Sequence, residues 1–229
     1  MNLKNKILFL FILSSFCFLL SVLSATAQTA SQVLITWQAQ SFVPAEYQGK
    51  ILPASGTNIK LGLELVITNK IQDLSKADIF WYLDGKLLGR GQGLKQINFT
   101  ATKGATNSHF VRAAVNYNQQ EYDGTADIPI ANPKIVIQTP SPANNSIPLG
   151  KKNDFQAIPY FFNINNLGEL LFTWLVNGQT FANKGDNLLG LTLTPPIPSN
   201  QNINIKITAQ NLKNDLELGS KEINLNVQQ

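Results

Sequence analysis

The sequence predicts an all-β protein: two antiparallel β-sandwich domains in tandem behind an N-terminal export segment. Three observations carry that reading. Apolar residues beyond position 27 recur with a period of two, and no sustained helical period appears there. A tryptophan-bearing strand and the turn that follows it occur twice, about one domain length apart. The first 27 residues have the layout of a signal peptide.

The N-terminal segment is set aside first. Lys4 and Lys6 supply a basic start, Ile7 to Leu23 is almost wholly apolar, and Ala25-Thr26-Ala27 is the small-x-small pattern accepted by signal peptidase. Cleavage is expected before Gln28, with residues 1–27 lost. The rival reading is an uncleaved anchor holding the chain on the outer face of a membrane. The apolar run is slightly short of the ~20 residues a spanning helix needs. Cys17, the single cysteine, lies inside that run behind the bulky Phe16, which does not suit lipoprotein processing. A Gly-Phe-x-x-x-Glu pilin pattern is also missing.

Cleavage changes the chemistry expected of the rest. A mature chain from Gln28 has no cysteine, hence no disulfide, thiol nucleophile or thiolate metal site. Taking Lys4 and Lys6 from 18 basic residues leaves 16 against 14 acidic ones, a net charge of +2. No clustered basic face remains, so nucleic acid is not an expected partner. The charged fraction of 14% and hydrophobic fraction of 44% suit a folded β-rich chain.

Individual strands follow from alternation. Ile59, Leu61, Leu63, Leu65 and Ile67 mark one; Val111, Ala113, Val115 and Tyr117 another. Leu189, Leu191 and Leu193 repeat the spacing, as do Ile203, Ile205, Ile207 and Ala209, and Ile223, Leu225 and Val227.

Two segments match at long range. Ile79-Phe80-Trp81-Tyr82-Leu83-Asp84-Gly85 parallels Phe172-Thr173-Trp174-Leu175-Val176-Asn177-Gly178 at an offset of 93. Asp123-Gly124-Thr125-Ala126-Asp127-Ile128 parallels Leu218-Gly219-Ser220-Lys221-Glu222-Ile223 at 95. Such a period is a domain duplication. Asp-Gly and Asn-Gly after each Trp strand are strong signals for a two-residue hairpin turn. A buried mid-strand Trp among several short strands is the Ig-like pattern, so Trp81 and Trp174 are expected in the two cores.

Trp81-Tyr82-Leu83-Asp84-Gly85-Lys86 and Trp174-Leu175-Val176-Asn177-Gly178 resemble the mid-strand motif of Ig-like and PKD-like domains of bacterial surface proteins. A looser resemblance spans most of the mature chain. Trp37, Val43-Pro44, Tyr47-Gln48-Gly49-Lys50, Leu52-Pro53 and Pro159-Tyr160-Phe161-Phe162 are similar to an uncharacterised family of secreted two-domain proteins of candidate-phylum bacteria. That likeness implies architecture and no activity.

The domain boundary is expected at Ala131-Asn132-Pro133, giving domains 28–131 and 132–229. Pro133 interrupts pairing, and Pro140, Pro142 and Pro148 are expected to shape a loop before the second core. So short a connection implies a restrained pair.

Chemistry is sought where nucleophiles, acids, bases or ligands converge. His109 is the single histidine and is expected at a strand edge near solvent; without His or Cys partners it builds no zinc site. Glu121, Asp123 and Asp127 lie close together, but lack the Asp-x-Asp-x-Asp-Gly loop of a calcium site. Asp123-Gly124 reads as a turn or bulge. No pair of carboxylates stands out as a glycosidase dyad. Gly89, Gly91 and Gly93 follow a hairpin rather than a βαβ unit, so they read as loop or edge-strand residues instead of a phosphate loop. No catalytic, cofactor-binding or metal residue is therefore assigned, no cofactor is expected, and the chain is read as a non-enzyme.

The aromatics are more informative. Tyr160, Phe161 and Phe162 are consecutive, so a strand there presents aromatics to both faces, and an interdomain or partner contact is expected of them. Trp37 and Tyr47, in the proline-containing opening segment, form a possible ligand platform. The primary functional expectation is a cell-surface or envelope-assembly module, as spacer, adhesion domain, or pilus or secretion accessory, with envelope proteins as partners. The alternative is a carbohydrate-binding module using Trp37 or Tyr47. Membrane association is expected only through an uncleaved N-terminal segment. Asn98-Phe99-Thr100 and Asn144-Asn145-Ser146 match glycosylation acceptors, relevant only in a host that uses them.

Overall fold

A computed structural model describes residues 31–140, 145–184, 186–197 and 201–228, with the side chains of 181–184 left aside. The export segment, Pro142 and Asn144 lie outside the described residues. Described secondary structure is all-β apart from a single 3-10 turn at Leu167–Glu169, capped by the Asn166 side chain.

The first sandwich uses β1 (Ser31–Ala39), β2 (Asn58–Ile67), β3 (Lys70–Ile71), β4 (Asp78–Leu83), β5 (Lys86–Gln92), β6 (Gln96–Thr100), β7 (Ser108–Tyr117) and β8 (Gln120–Pro129). One sheet centres on β2, which pairs with β1, β3 and β6; the other runs β5-β4-β7-β8. All of these pairings are antiparallel. The alternation in the sequence is the cause: Ile59, Leu61, Leu63 and Leu65 of β2 and Val111, Ala113 and Val115 of β7 turn inward onto Trp81. Each fully buried aliphatic side chain contributes about 1.5–3 kcal/mol, which orders the layers without cross-links.

The second sandwich uses β9 (Lys134–Gln138), β10 (Ser146–Pro148), β11 (Lys152–Tyr160), β12 (Leu170–Val176), β13 (Gln179–Lys184), β14 (Leu188–Thr192), β15 (Asn202–Asn211) and β16 (Asn214–Gln228). Its sheets run β14-β11-β9 and β10-β16-β15-β12-β13. Phe155, Phe172, Trp174, Ile205 and Ile207 are fully buried in its core. Leu193 lies just past β14 and is buried too. Pro148, expected in a loop, instead ends β10, which pairs parallel with β16 through Ser146, Ile147 and Pro148. An edge strand tolerates proline because one side of it needs no donor.

Both hairpins after the Trp strands form as the sequence predicts. Asp84 and Gly85 have φ of 50° and 80°, Asn177 and Gly178 of 47° and 82°. Two consecutive positive φ values define the type I′ turn that matches strand twist. Gly89 and Gly91 lie in edge strand β5. Gly124 and Gly219 correct the turn-or-bulge reading. Each sits inside a strand, opposite Ala113 and Ala209. A Cβ on Gly124 would meet the Val33 carbonyl oxygen at 2.7 Å; one on Gly219 would meet Pro133 and Phe162 at 3.1 Å. Glycine is required because another segment crosses against the backbone.

Candidate functional site

Where the two sandwiches meet, backbone and side chains from both converge. The chain between β1 and β2 turns toward the second sandwich at Phe42. The Phe42 N–H donates to the Phe162 carbonyl at 2.7 Å, and the Phe161 N–H donates to the Phe42 carbonyl at 2.7 Å. This isolated antiparallel bridge joins the domains by main-chain bonds. The half-buried Phe42 side chain packs on the second core. Phe42 was not among the residues singled out from sequence.

The aromatic run divides by role. Phe162 is fully buried in the second core. Phe161 has φ of 63°, so strand alternation breaks there, and Tyr160 and Phe161 are both half-buried. With alternation broken at this positive φ, both side chains reach the same first-domain ring. Tyr47 from the first domain meets them edge-on, with ring centroids 5.7 Å from Tyr160 and 5.9 Å from Phe161. Such contacts are worth about 0.5–1.5 kcal/mol beyond area burial. Trp37 is linked to the same side by Lys50. The Lys50 ammonium lies 4.0 Å from the Trp37 ring centroid and donates to the Trp37 carbonyl at 2.6 Å. The Tyr47 hydroxyl donates to the Lys50 carbonyl at 3.1 Å.

Beside the bridge, Asn163 uses every polar group it has. Its backbone N–H donates to Glu217 Oε1 at 2.7 Å, and its carbonyl accepts from Asn211 Nδ2 at 3.2 Å. Its side-chain oxygen accepts from the Thr57 hydroxyl, and its Nδ2 donates to the Ser55 carbonyl at 2.9 Å. With its proton committed to Asn163, Thr57 accepts from Ser41, 3.1 Å away, and from the Ala54 N–H at 2.9 Å. Glu217 and Asn211 are buried, and Asn211 Nδ2 also donates to Glu217 Oε2. A buried carboxylate holds its place here because both oxygens accept hydrogen bonds. No sequence signal marks Asn163; its partners in the first sandwich, Thr57 and Ser55, are 106 and 108 residues away.

The remaining sequence candidates fall elsewhere. Trp81 and Trp174 are fully buried, one in each core. Trp81 Nε1 donates to the Leu94 carbonyl at 2.9 Å, whereas Trp174 Nε1 meets no acceptor among the described residues. His109, expected near solvent, is only 1% exposed. Its Nδ1 lies 2.6 Å from Asp84 Oδ2, and its Nε2 accepts from the Thr102 N–H at 3.2 Å. The accepting Nε2 assigns the proton to Nδ1, which donates to Asp84. A turn carboxylate 25 residues upstream is what allows this histidine inside. Burial pushes Asp84 up, but hydrogen bonds from Lys103, the Phe110 N–H and His109 outweigh it, lowering its pKa from 3.8 to about 2.

Glu121 and Asp123 flank Arg112, at 3.5 and 2.6 Å. Among the described residues no group of three His, Cys, Asp or Glu side chains is placed to hold a metal. A hollow of about 240 Å³ lies beside the junction, between Ala54–Gly56, Ala131–Pro133 and the β15–β16 hairpin. A larger open groove of about 500 Å³ lies away from it, on the outer face of β2 around Gly62, Glu64 and Lys95. No helix among the described residues is long and apolar enough to cross a membrane.

No family model matches the chain, and no curated protein matches it. Among solved structures it is similar to three N-terminal domains of the bacteriophage RB49 Highly Immunogenic Outer Capsid protein. That match has a TM-score of 0.46 and 9% identity, covering 86% of this chain and 59% of that one. The fibronectin(III)-like modules of Clostridium thermocellum CbhA match with a TM-score of 0.31 and 10% identity, over 86% of this chain and 95% of theirs. Titin Ig tandem domains A164-A165 match with a TM-score of 0.28 and 12% identity, over 87% and 98%. The Ig-like assignment follows from the strand order and paired cores, independently of these distant likenesses.

Proposed function

We propose that this chain is an exported, non-enzymatic interaction protein whose two Ig-like, PKD-like sandwiches act as one rigid unit at the cell surface or in envelope assembly. The reading takes residues 1–27 as a leader removed on export, and 28–131 and 132–229 as the domains. The Phe42–Phe162 backbone bridge carries it. Two main-chain hydrogen bonds and the two that the Asn163 side chain makes to Thr57 and Ser55 support an orientation that a short linker alone leaves free. A spacer that positions a binding surface needs that restraint.

Small-angle scattering of the wild type and of Asn163→Ala and Phe161→Asp tests it. Both variants are expected to broaden the distance distribution while circular dichroism stays unchanged. Scattering curves identical to wild type for both would refute the rigid unit. The carbohydrate alternative has weaker support, because Lys50 covers the Trp37 ring and Tyr160 and Phe161 engage Tyr47. A glycan array is expected to show no saccharide selectivity.

A further inference from the structure

The outer face of the β5-β4-β7-β8 sheet differs from the rest of the surface. Register places Arg90, Phe80, Ala114 and Asp123 in one row across the four strands. The next row is Leu87, Tyr82, Arg112 and Thr125. Phe110 and Asp127 pair in the row beyond. Phe110 is 44% exposed and Leu87 54%, both large apolar side chains left toward solvent. The equivalent face of the second sandwich carries Leu171, Thr173 and Leu175 beside Asn204, Lys206 and Thr208, with no aromatic side chain among them. Aromatic side chains with arginine are the composition enriched at protein interfaces.

Charge on this face is divided by strand. Strand β8 presents Glu121, Asp123 and Asp127, against which Arg112 supplies one guanidinium. At the opposite edge β5 presents Arg90. Three acids therefore lie on one side of an aromatic centre and one base, Arg90, on the other, with Asp78 of β4 and Arg112 of β7 between them.

We infer that this face binds a second copy of the chain, face to face, about a two-fold axis running along the strands between β4 and β7. That operation lays β5 of one copy over β8 of the other while keeping each row at its own height. The row Arg90–Phe80–Ala114–Asp123 then meets its own reverse, so Arg90 faces Asp123 and Phe80 faces Ala114. In the neighbouring row Tyr82 faces Arg112, a pairing already made within one copy, where the guanidinium lies 5.2 Å from the Tyr82 ring. An isologous contact needs a surface that is its own complement, and few patches satisfy that in both charge and shape. Sheets packed this way sit about 10 Å apart, within reach of Phe, Tyr and Arg side chains. This inference is independent of the domain junction, which lies elsewhere on the chain.

Sedimentation equilibrium tests it, on protein expressed from residue 1 and purified in the form processing leaves. The wild type is expected to dimerise, with dissociation favoured by salt. Arg90→Glu, which sets like charges opposite Asp123, is expected to weaken the dimer by about tenfold or more. Phe110→Asp, at a position that is already partly exposed, is expected to weaken it similarly. Leu216→Asp, on the second sandwich and 92% exposed, is expected to leave it unchanged. A wild type that stays monomeric up to high concentration overturns the inference. So does a dimer indifferent to both Arg90→Glu and Phe110→Asp.

Discussion

The two sandwiches close the hairpin after their tryptophan strand with the same backbone and different chemistry. In the first, the Asp84 N–H donates to the Phe110 carbonyl at 2.8 Å, and its Oδ1 accepts the Phe110 N–H at 3.0 Å. In the second, Asn177 does the same with Asn204, its Oδ1 accepting at 2.9 Å. Only the first turn carries charge, with Lys103 at 2.7 Å and the buried His109 at 2.6 Å. The tryptophans differ likewise: Trp81 has an acceptor at Leu94 and Trp174 has none among the described residues. Both halves share the positive-φ turn and the side-chain oxygen that completes it, while the surroundings differ. The motif therefore reports fold in both halves and local chemistry in neither.

The largest effects should appear at the tryptophans. Trp81→Ala and Trp174→Ala are each expected to cost about 3–5 kcal/mol of the affected domain's stability in urea unfolding. Trp81→Phe and Trp174→Phe sharpen the contrast. The first strands the Leu94 carbonyl and should cost about 1 kcal/mol more than the second. Equal losses would mean that the Leu94 bond contributes nothing.

Next come the crossing glycines. Gly124→Ala drives a Cβ to 2.7 Å from a backbone oxygen, whereas Gly219→Ala meets its neighbours at 3.1 Å, one of them a side-chain atom. Both should destabilise, by about 1–3 kcal/mol, with Gly124 the worse. A smaller loss at Gly124 would mean that β1 moves aside there.

The turns give a third, smaller contrast. Asp84→Ala leaves a buried histidine donor unpaired and should cost about 1–3 kcal/mol. Asn177→Ala removes one exposed-side hydrogen bond and should cost about 0.5–1.5 kcal/mol. Thermal melts of the two variants compare them directly.

Acid separates the domains most subtly. Asp84 titrates at about 2 in the folded chain against 3.8 ordinarily, so its ionised form favours folding. That contribution is fully present above about pH 4 and is lost as pH falls toward 2. Asn177 does not titrate. Unfolding of the first domain should therefore gain a pH dependence between about 4 and 2 that Asp84→Asn reduces.

The layers were legible because burial on one face imposes a period of two, and because few dipeptides besides Asp-Gly and Asn-Gly fit a type I′ turn so well. The junction was legible only in part. Three consecutive aromatics pointed to Tyr160, Phe161 and Phe162, yet alternation misassigned their faces, since nothing in the residue type announces a positive φ at Phe161. Phe42 and Asn163 act through backbone and amide groups whose partners lie far along the chain, and such bonds leave no local pattern. His109 escapes sequence reasoning for a related reason: Asp84-Gly85 signals a turn, and nothing local announces that its carboxylate satisfies a histidine 25 residues on.

The parallel pairing of β10 with β16 has a mechanical consequence. Tension drawing the two ends of the second sandwich apart slides these strands along each other, so Ser146–Pro148 must release together rather than unzip one bond at a time. The first sandwich has no such parallel pair among its described strands; β1 is hydrogen-bonded antiparallel to β2 and packs against β8 around Gly124 without pairing with it. Pulled end to end in a single-molecule force experiment, the N-terminal half is expected to yield before the C-terminal half.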